Sequence, residues 1–362
     1  MTVPARGRDR AIDVLRGVFI VLMVSTHISD ESVIQGGLHL QRWFTGAEGF
    51  VMLSGLVLGM VHQRRVARLG DRAASILILR RAATLYSIQV ALCVVVVVAA
   101  VATGRPSSVP PLDALGGIPG TAMSVALLRF QPNFLNVLPM YVVFLLAAPA
   151  VLWAARRNAV AVLAASMVLW AASQVLPRLG QLSDPVFGDD AFRLPAWQLL
   201  FVLGLVIGSR GDDLASRLRR DHRAMVVASA VTLVALIGLA QLDRPSIGAI
   251  HVPPELTSRP DLGPVRLAEF LVFVVVALAV LGWLRDRGAF DRGPLAVPAD
   301  WLGSLGSRSL ASFQLLTVLV IGLVVAGVKS WPDPAVELTT LVVMAILFIA
   351  ARNLAATRLI PN

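Results

Sequence analysis

Long apolar stretches recur from one end of this 362-residue chain to the other, and they constrain its fold more than any other feature. A helix needs about 20 mainly apolar residues to cross a bilayer, and its backbone polar groups must be satisfied internally. We therefore predict an all-α polytopic membrane protein, with one integral membrane domain over residues 1–362. Ten spans are expected, at approximately 11–28, 44–62, 82–103, 137–155, 159–177, 195–209, 224–242, 265–284, 308–328 and 336–352.

The arginine distribution predicts the orientation of these spans. With the N-terminus in the cytoplasm, about two thirds of the basic residues fall on the cytoplasmic side, as the positive-inside rule requires. Ten spans then leave both termini cytoplasmic, in a multi-pass protein of the inner (plasma) membrane. The basic start of the chain is expected to precede a retained helix rather than a signal peptide. The same asymmetry explains the net charge of +10 without a nucleic-acid partner.

Three ionisable residues stand in the first apolar stretch. Asp13 and Arg16 are three residues apart, and His27 follows Arg16 by eleven, so all three share one helix face. The helical rise from Arg16 to His27 is about 16 Å, roughly half a hydrocarbon core. Ionisable residues inside a membrane are costly and usually functional. We therefore treat Asp13, Arg16 and His27 as candidate catalytic residues.

The chemistry of each side chain suggests a role. Imidazole titrates near neutral pH, so His27 is suited to take a proton from a hydroxyl group as a general base. Arg16 would orient or neutralise an anionic group. The alternative is structural, with an Asp13–Arg16 pair at the membrane surface and a histidine bonded to a neighbouring helix.

Acidic residues near the ends of the spans are candidate partners of His27. Glu48 lies one turn into the second span, where the returning chain can bring it towards His27 to orient or charge-stabilise the ring. Asp30 and Glu31 are its rivals, and Asp30 is also a candidate contact to substrate, although both residues fit a solvated loop. Glu269, early in the eighth span, is a further candidate for contact with a partner residue or with substrate.

Two polar stretches at the starts of spans are candidate substrate-binding sites. The first runs from Asn133 to Tyr141 and includes Asn136; the second contains Trp197 and Gln198. Amide and phenol groups can bond a sugar or an acyl carbonyl. Helix capping and anchoring at the membrane interface explain the same residues equally well.

The cytoplasmic arginines are candidate ligands for nucleotide phosphates. Arg80 and Arg81, at the start of the third span, are best placed beside the bundle, although the positive-inside rule explains most of the others. The sequence has no Walker A, GxSxG or metal-ligand pattern, so ATP hydrolysis, serine esterase and metal hydrolase activities lack support.

Several of these residues stand in stretches that resemble the OpgC family of membrane acyltransferases, relatives of the acyltransferase 3 family. These stretches together run over most of the chain: Asp13-x-x-Arg16-Gly17 with Arg-x10-His ending at His27, Glu48–Gly55, Asn136–Tyr141, Pro195–Gly204 and Leu305–Phe313. The first two are the most specific. The arginine and histidine of the family correspond to Arg16 and His27, and its acidic position at the start of the second span corresponds to Glu48.

The resemblance implies an O-acyltransferase that uses cytoplasmic acyl-coenzyme A as co-substrate and needs no metal. The acceptor would be a hydroxyl group of an envelope or periplasmic glycan or glycolipid, and the family's link with glucan succinylation favours succinyl-coenzyme A as the donor. In this interpretation Arg16, Arg80 and Arg81 bind the donor. The sequence leaves the acceptor, the oligomeric state, and the choice between direct transfer and an acyl-histidine intermediate open.

Two other classes of protein fit the same residues. A proton-coupled transporter or flippase of an envelope precursor would use His27, Glu48 and Arg16 as a proton relay and would not consume acyl-coenzyme A. A structural membrane protein of envelope assembly would keep its full function without His27.

Overall fold

The computed structural model describes residues 9–28, 34, 43–103, 109–132, 135–176, 179–187, 191–210, 222–243, 251–328 and 331–356. Within these ranges the chain forms helices and no strands, which confirms the predicted all-α class. The α-helices are α1 Arg10–Ile28, α2 Gly46–Leu69, α3 Asp71–Thr103, α4 Gly117–Ala126, α5 Val137–Arg157, α6 Ala159–Val175, α7 Leu194–Ser209, α8 His222–Leu242, α9 Pro254–Thr257, α10 Pro264–Asp286, α11 Ala296–Ser307, α12 Ser309–Val325 and α13 Asp333–Ala356. Short 3-10 turns lie at Leu112–Leu115 and Pro185–Phe187.

Each of the ten predicted spans coincides with a helix. Most boundaries agree within a few residues, but α3 begins at Asp71, well before the predicted start at residue 82. The sequence analysis did not predict α11, which lies in a stretch that was expected to be a cytoplasmic loop. The apolar piece between Thr121 and Leu128 forms most of the short helix α4.

Six helices of the described chain are long and apolar enough to cross a membrane. They are α1, α3, α5, α8, α10 and α13, and a seventh span results if α11 and α12 are counted as one broken span. The helices α6 and α7 are apolar but short, at 17 and 16 residues. Glycine and polar residues lower the hydropathy of α2. The count of ten spans and the cytoplasmic termini therefore stay predictions.

By its internal contacts the chain forms two compact units. Unit 1 comprises Met1–Phe50, His222–His251 and Ala268–Asn362, and unit 2 comprises Val51–Asp221 and Val252–Leu267. Two of the four boundaries fall inside α2 and α10, so each of these helices contributes residues to both units.

In unit 1, α1 packs closely along α11 because glycines remove the side chains between them. A Cβ atom at Gly17 would clash with the carbonyl oxygen of Leu302, and one at Gly306 would clash with the carbonyl oxygen of Asp13. Small residues allow this approach of helix backbones in membrane proteins. Beside this contact, Val14 and Ala299 are buried in an apolar cluster that also includes Phe290.

The helices α11 and α12 are bent by 84° at Arg308. Proline does not cause this bend, since the break holds only Arg308 between Ser307 and Ser309. Serine hydroxyls that bond nearby carbonyl groups compete with regular helix formation. Ser307 donates to the carbonyl of Ser304, and Ser312 donates to the carbonyl of Leu305. The bend is thus surrounded by serines that satisfy backbone acceptors.

In unit 2, α2 and α7 pack through two glycines on each helix. Cβ atoms at Gly55 and Gly59 would clash with backbone atoms of α7, and Cβ atoms at Gly204 and Gly208 would clash with backbone atoms of α2. Both pairs have the small-xxx-small spacing that lets membrane helices approach closely. Gly55 and Gly59 therefore serve the close packing of α2 on α7.

Candidate functional site

Asp13, Arg16 and His27 lie on the single uninterrupted helix α1. Because the helix is uninterrupted, the predicted spacing holds, and the three side chains leave α1 on one face. Asp13 and Arg16 are both buried, each 7% exposed, whereas His27 is half-buried near the end of the helix. The chain thus places a buried cation and an imidazole about 16 Å apart along one helix face.

His27 is oriented by its own helix. Its Nδ1 atom lies 2.7 Å from the carbonyl oxygen of Met23, one turn earlier, and 3.4 Å from Oγ1 of Thr26. A carbonyl oxygen can only accept, so this bond assigns the proton of a neutral ring to Nδ1. The lone pair of the neutral imidazole is then on Nε2. This is the tautomer that a general base needs if its Nε2 atom is to take a proton.

The guanidinium of Arg16 is fixed at the bend between α11 and α12. Its Nη2 atom donates a hydrogen bond to Oγ of Ser309, the first residue of α12, which is 1% exposed. Its Nη1 atom lies 4.0 Å from Oδ1 of Asp13. Burying a charge is costly unless the charge is paired and hydrogen-bonded. Asp13 and Ser309 supply that compensation, so Asp13 stabilises Arg16 in its buried position.

Glu48 caps α2, the helix of the second predicted span. It is fully buried, and its Oε2 atom accepts hydrogen bonds from the backbone N–H of Thr45, at 2.9 Å, and from the Thr45 hydroxyl, at 3.0 Å. A threonine at the N-cap followed three residues later by glutamate is a capping box. The sequence Thr45-Gly-Ala-Glu48 carries this signal, which the sequence analysis missed. The proposed electrostatic support of His27 by Glu48 stays a prediction.

The first turn of α2 lies beside the middle of α1. A Cβ atom at Gly46 would meet the carbonyl oxygen of Phe19 and the backbone nitrogen and side chain of Met23, and one at Gly49 would meet the Phe19 ring. Glu48 belongs to the same turn. It therefore stands alongside the section of α1 that separates Arg16 from His27.

A second buried carboxylate binds the segment that precedes α2. Glu269 on α10 is fully buried, and its Oε2 atom accepts the backbone N–H of Phe44 at 3.2 Å. The ring of Phe44 packs against Phe270 and Phe273 of α10, at centroid distances of 5.7 and 4.9 Å. Glu269 thus bonds the segment that precedes α2, and its predicted contact with a partner residue of the site or with substrate stays a prediction.

Asn136 and Tyr141 lie at the start of α5 in unit 2. Asn136 is half-buried, and its side chain makes no capping hydrogen bond, so the structure gives no support to a capping role. Tyr141 is 2% exposed, and its ring meets that of Phe201 edge-on at 6.0 Å. Contact of either residue with substrate stays a prediction.

Trp197 and Gln198 are held by the protein itself. Trp197 is fully buried, and its Nε1 atom donates to the carbonyl oxygens of Arg259, at 3.1 Å, and Pro260, at 3.2 Å. Gln198 donates to the carbonyl oxygen of Ser166 and accepts from the hydroxyl of the same residue. These bonds indicate structural roles within unit 2, and the predicted substrate contacts are not among them.

The two arginines predicted to bind donor phosphates lie in the first half of α3. Arg80 is exposed and Arg81 is half-buried. At the start of the same helix, Asp71 forms a bidentate pair with Arg156, at 2.8 and 2.7 Å, and approaches Nε2 of the buried His62 at 3.6 Å. This His62–Asp71–Arg156 cluster joins α2, α3 and α5, and the sequence analysis did not identify it.

The structure thus brings some of the predicted residues together and separates others by unit. Asp13 and Arg16 are in contact, and His27, Glu48 and Glu269 belong to the same unit 1. The candidates of unit 2 form a separate set: Arg80, Arg81, Asn136, Tyr141, Trp197 and Gln198. Asp30 and Glu31 lie outside the described residues. Ser309 was missed as a partner of Arg16, although it stands inside the stretch Leu305–Phe313 that carries the family resemblance.

Comparison with known proteins supports the family suggested by these residues. No curated protein and no solved structure matches the chain. The family model described as OpgC protein matches residues 8–358, which is nearly the whole sequence. The match includes every residue of the candidate site, all of unit 2 and nearly all of unit 1. This membership suggests a membrane-associated acyltransferase that acts on glycans. The chain belongs to the OpgC family.

Proposed function

We propose that the protein is an O-acyltransferase that moves an acyl group, with succinyl favoured, from cytoplasmic acyl-coenzyme A to a hydroxyl group of an envelope glycan or glycolipid. The observation that supports it most is the bond from Nδ1 of His27 to the carbonyl oxygen of Met23 at 2.7 Å. This bond leaves Nε2 as the basic atom of an imidazole on the same helix face as the buried Arg16.

The proposed reaction is one direct transfer. Nε2 of His27 accepts the proton of the sugar hydroxyl while the hydroxyl oxygen attacks the thioester carbonyl carbon. The carbon–sulfur bond then breaks, and the imidazolium returns the proton to the thiolate of coenzyme A. A positioned general base typically contributes about 10² to 10⁴ in rate, so His27 is expected to supply a large part of the acceleration.

The other charged residues act on the donor and on the imidazolium in this proposal. The cation of Arg16 attracts an anionic part of the donor, and Arg80 and Arg81 bind the phosphates of coenzyme A. The carboxylate of Glu48 favours the imidazolium that forms during proton transfer. Because Glu48 also caps α2, its charge and its hydrogen bonds must be separated by experiment.

A transporter or flippase is the second candidate, and the bend at Arg308 is the observation that favours it. Broken helices are a frequent feature of transporter substrate sites. The 84° bend between α11 and α12 lies beside Arg16, which such a protein would use together with His27 and Glu48 as a proton relay. A transporter would neither bind nor consume acyl-coenzyme A.

The test uses the full chain in nanodiscs with radiolabelled succinyl- or acetyl-coenzyme A and a mixture of envelope glycans. Loss of thioester and transfer of label are followed for the wild type and for His27→Asn. Asparagine can still donate to the Met23 carbonyl, but it has no basic nitrogen. Acyl transfer by the wild type and its loss in the variant support the proposal. A wild type that consumes neither donor favours the transporter.

A further inference from the structure

We propose that Glu269 is a positioning residue for the acyl-transfer site, where it holds the segment Trp43–Thr45 so that Glu48 and the first turn of α2 keep their place against the helix that carries His27. This inference rests on the proposed function. It concerns a residue that does not touch the reacting atoms in the mechanism above.

The burial of Glu269 requires an explanation. Its side chain has no exposed surface, and it lies on α10, one of the helices long and apolar enough to span a membrane. A carboxylate in such a place is costly unless it accepts strong hydrogen bonds. One such bond comes from the backbone N–H of Phe44 at 3.2 Å. Hydrogen bonds to an ionised acceptor are stronger than those between neutral groups.

The bond to Glu269 satisfies a backbone N–H group in the segment before α2. A backbone N–H group that is buried away from water needs a hydrogen-bond partner. Glu48 accepts the N–H of Thr45, and Glu269 accepts the N–H of Phe44, the residue just before it. Two successive amide groups are therefore bound by two buried carboxylates, one from α2 itself and one from α10.

Aromatic packing attaches the same segment to α10. The ring of Phe44 contacts Phe270 and Phe273, and Phe19 of α1 contacts the same two rings at 6.1 Å each. Aromatic packing of this kind tolerates a small shift of the segment along α10, whereas the bond to Glu269 fixes one particular amide group. Glu269 therefore determines the register in which the Phe44 segment lies on α10.

The position of this segment affects His27 through Gly46 and Met23. Gly46 follows Thr45 directly and packs against Met23 without space for a Cβ atom. The carbonyl oxygen of Met23 accepts the bond from Nδ1 of His27. A shift of Phe44 thus moves Gly46 against Met23, and it moves Glu48 in the same turn of α2. Misplacement by about 1 Å can cost about 10²-fold in rate.

The test compares Glu269→Gln with Glu269→Asn in the full chain in nanodiscs. The amide oxygen of glutamine can still accept the Phe44 N–H, whereas asparagine has the same polarity but is one methylene too short. Glu269→Asp is also too short and keeps the charge, so it decides the question if the asparagine variant fails to fold. Three quantities are measured: hydrogen exchange of a peptide that contains Phe44, and kcat and KM for the acyl donor.

We expect Glu269→Gln to keep kcat within about threefold of the wild type and to keep most of the protection of the Phe44 amide, since its neutral oxygen still accepts a weaker hydrogen bond. The two short variants should lose kcat by about tenfold or more with an unchanged donor KM, and their Phe44 amide should exchange about tenfold faster, as expected for the loss of a hydrogen bond to a charged group. Equal inactivity of the glutamine variant would overturn the proposal, since the charge itself would then be required. Unchanged exchange in the short variants would also overturn it. A wild type without acyl transfer would instead refute the proposed function, and the exchange measurement would still decide the role of Glu269.

Discussion

The guanidinium of Arg16 on α1 donates a hydrogen bond to the hydroxyl of Ser309, the first residue of α12. Directly before the bend, Gly306 of α11 packs on the carbonyl group of Asp13. Both sides of the broken helix are therefore attached to the single turn Asp13–Gly17. The position of the buried cation depends on the bend, and the bend is held in place by the turn that carries the cation.

The hydroxyl of Ser309 is expected to matter for the acyl donor. Ser309→Ala removes the hydroxyl that accepts a hydrogen bond from the Arg16 guanidinium, and a hydrogen bond to a charged group contributes about 1.5–3 kcal/mol. We expect kcat/KM for the donor to fall about tenfold, as measured with labelled donor in nanodiscs. The control is Thr317→Val on the same helix, which removes a hydroxyl that donates to the carbonyl of Phe313 in α12 itself. A loss of less than twofold in Ser309→Ala would contradict this role.

The glycine contact between α1 and α11 predicts a difference between two neighbouring glycines. Gly306→Ala places a methyl group against the Asp13 carbonyl, whereas Gly303→Ala only brings one to 3.9 Å from Val14. Overpacking costs about 1–3 kcal/mol, so Gly306→Ala should lower the thermal unfolding midpoint in nanodiscs and reduce acyl transfer. Gly303→Ala should leave both unchanged. Similar behaviour of the two variants would contradict the close contact.

The two functions of Glu48 can be separated by replacing its charge and its acceptor in turn. Glu48→Gln retains an oxygen for the Thr45 N–H, and glutamine is a normal member of a capping box. We expect this variant to keep the wild-type unfolding midpoint but to lose acyl transfer about tenfold or more, because the imidazolium loses a stabilising charge. Glu48→Ala should have a lower unfolding midpoint, with a loss of about 1 kcal/mol of stability, and should also lose acyl transfer. Full activity of Glu48→Gln would reduce Glu48 to a helix cap.

The bonds of Trp197 predict a stability defect rather than a binding defect. Trp197→Phe keeps an aromatic ring but removes the donor to the Arg259 and Pro260 carbonyls. The loss of a hydrogen bond costs about 0.5–1.5 kcal/mol, so the unfolding midpoint should fall while KM for the glycan acceptor stays the same. A raised acceptor KM with unchanged stability would instead support the substrate contact predicted from the sequence.

The helices could be predicted from the sequence because apolar stretches of membrane length are a strong signal. All ten predicted spans contain a helix, but α11 was missed, since a 12-residue segment between two longer ones reads as a loop. Its importance lies in its packing on α1 through Gly17 and Gly306, which is a long-range contact. Sequence spacing describes neighbours along one helix and carries no information on such contacts.

The part of the candidate site that lies on α1 could be proposed from the sequence. Asp13, Arg16 and His27 share a helix, so their common face followed from helical periodicity. Ser309 is separated from Arg16 by 293 positions, and Phe44 from Glu269 by 225, so neither pair could be found from local spacing. The capping box of Thr45 and Glu48 was visible in the sequence, and it was missed because Glu48 was considered only as a partner of His27.

The measurement that tests the central claim most directly is label transfer from radiolabelled succinyl-coenzyme A to envelope glycans by the purified protein in nanodiscs. Wild type, His27→Asn and His27→Ala are compared at equal protein levels, with acetyl-coenzyme A as the alternative donor. The account predicts that the wild type transfers label and that the rate falls about 10²- to 10⁴-fold in both variants. Label transfer by His27→Asn at the wild-type rate would show that Nε2 of His27 is not the base, and the account would be wrong.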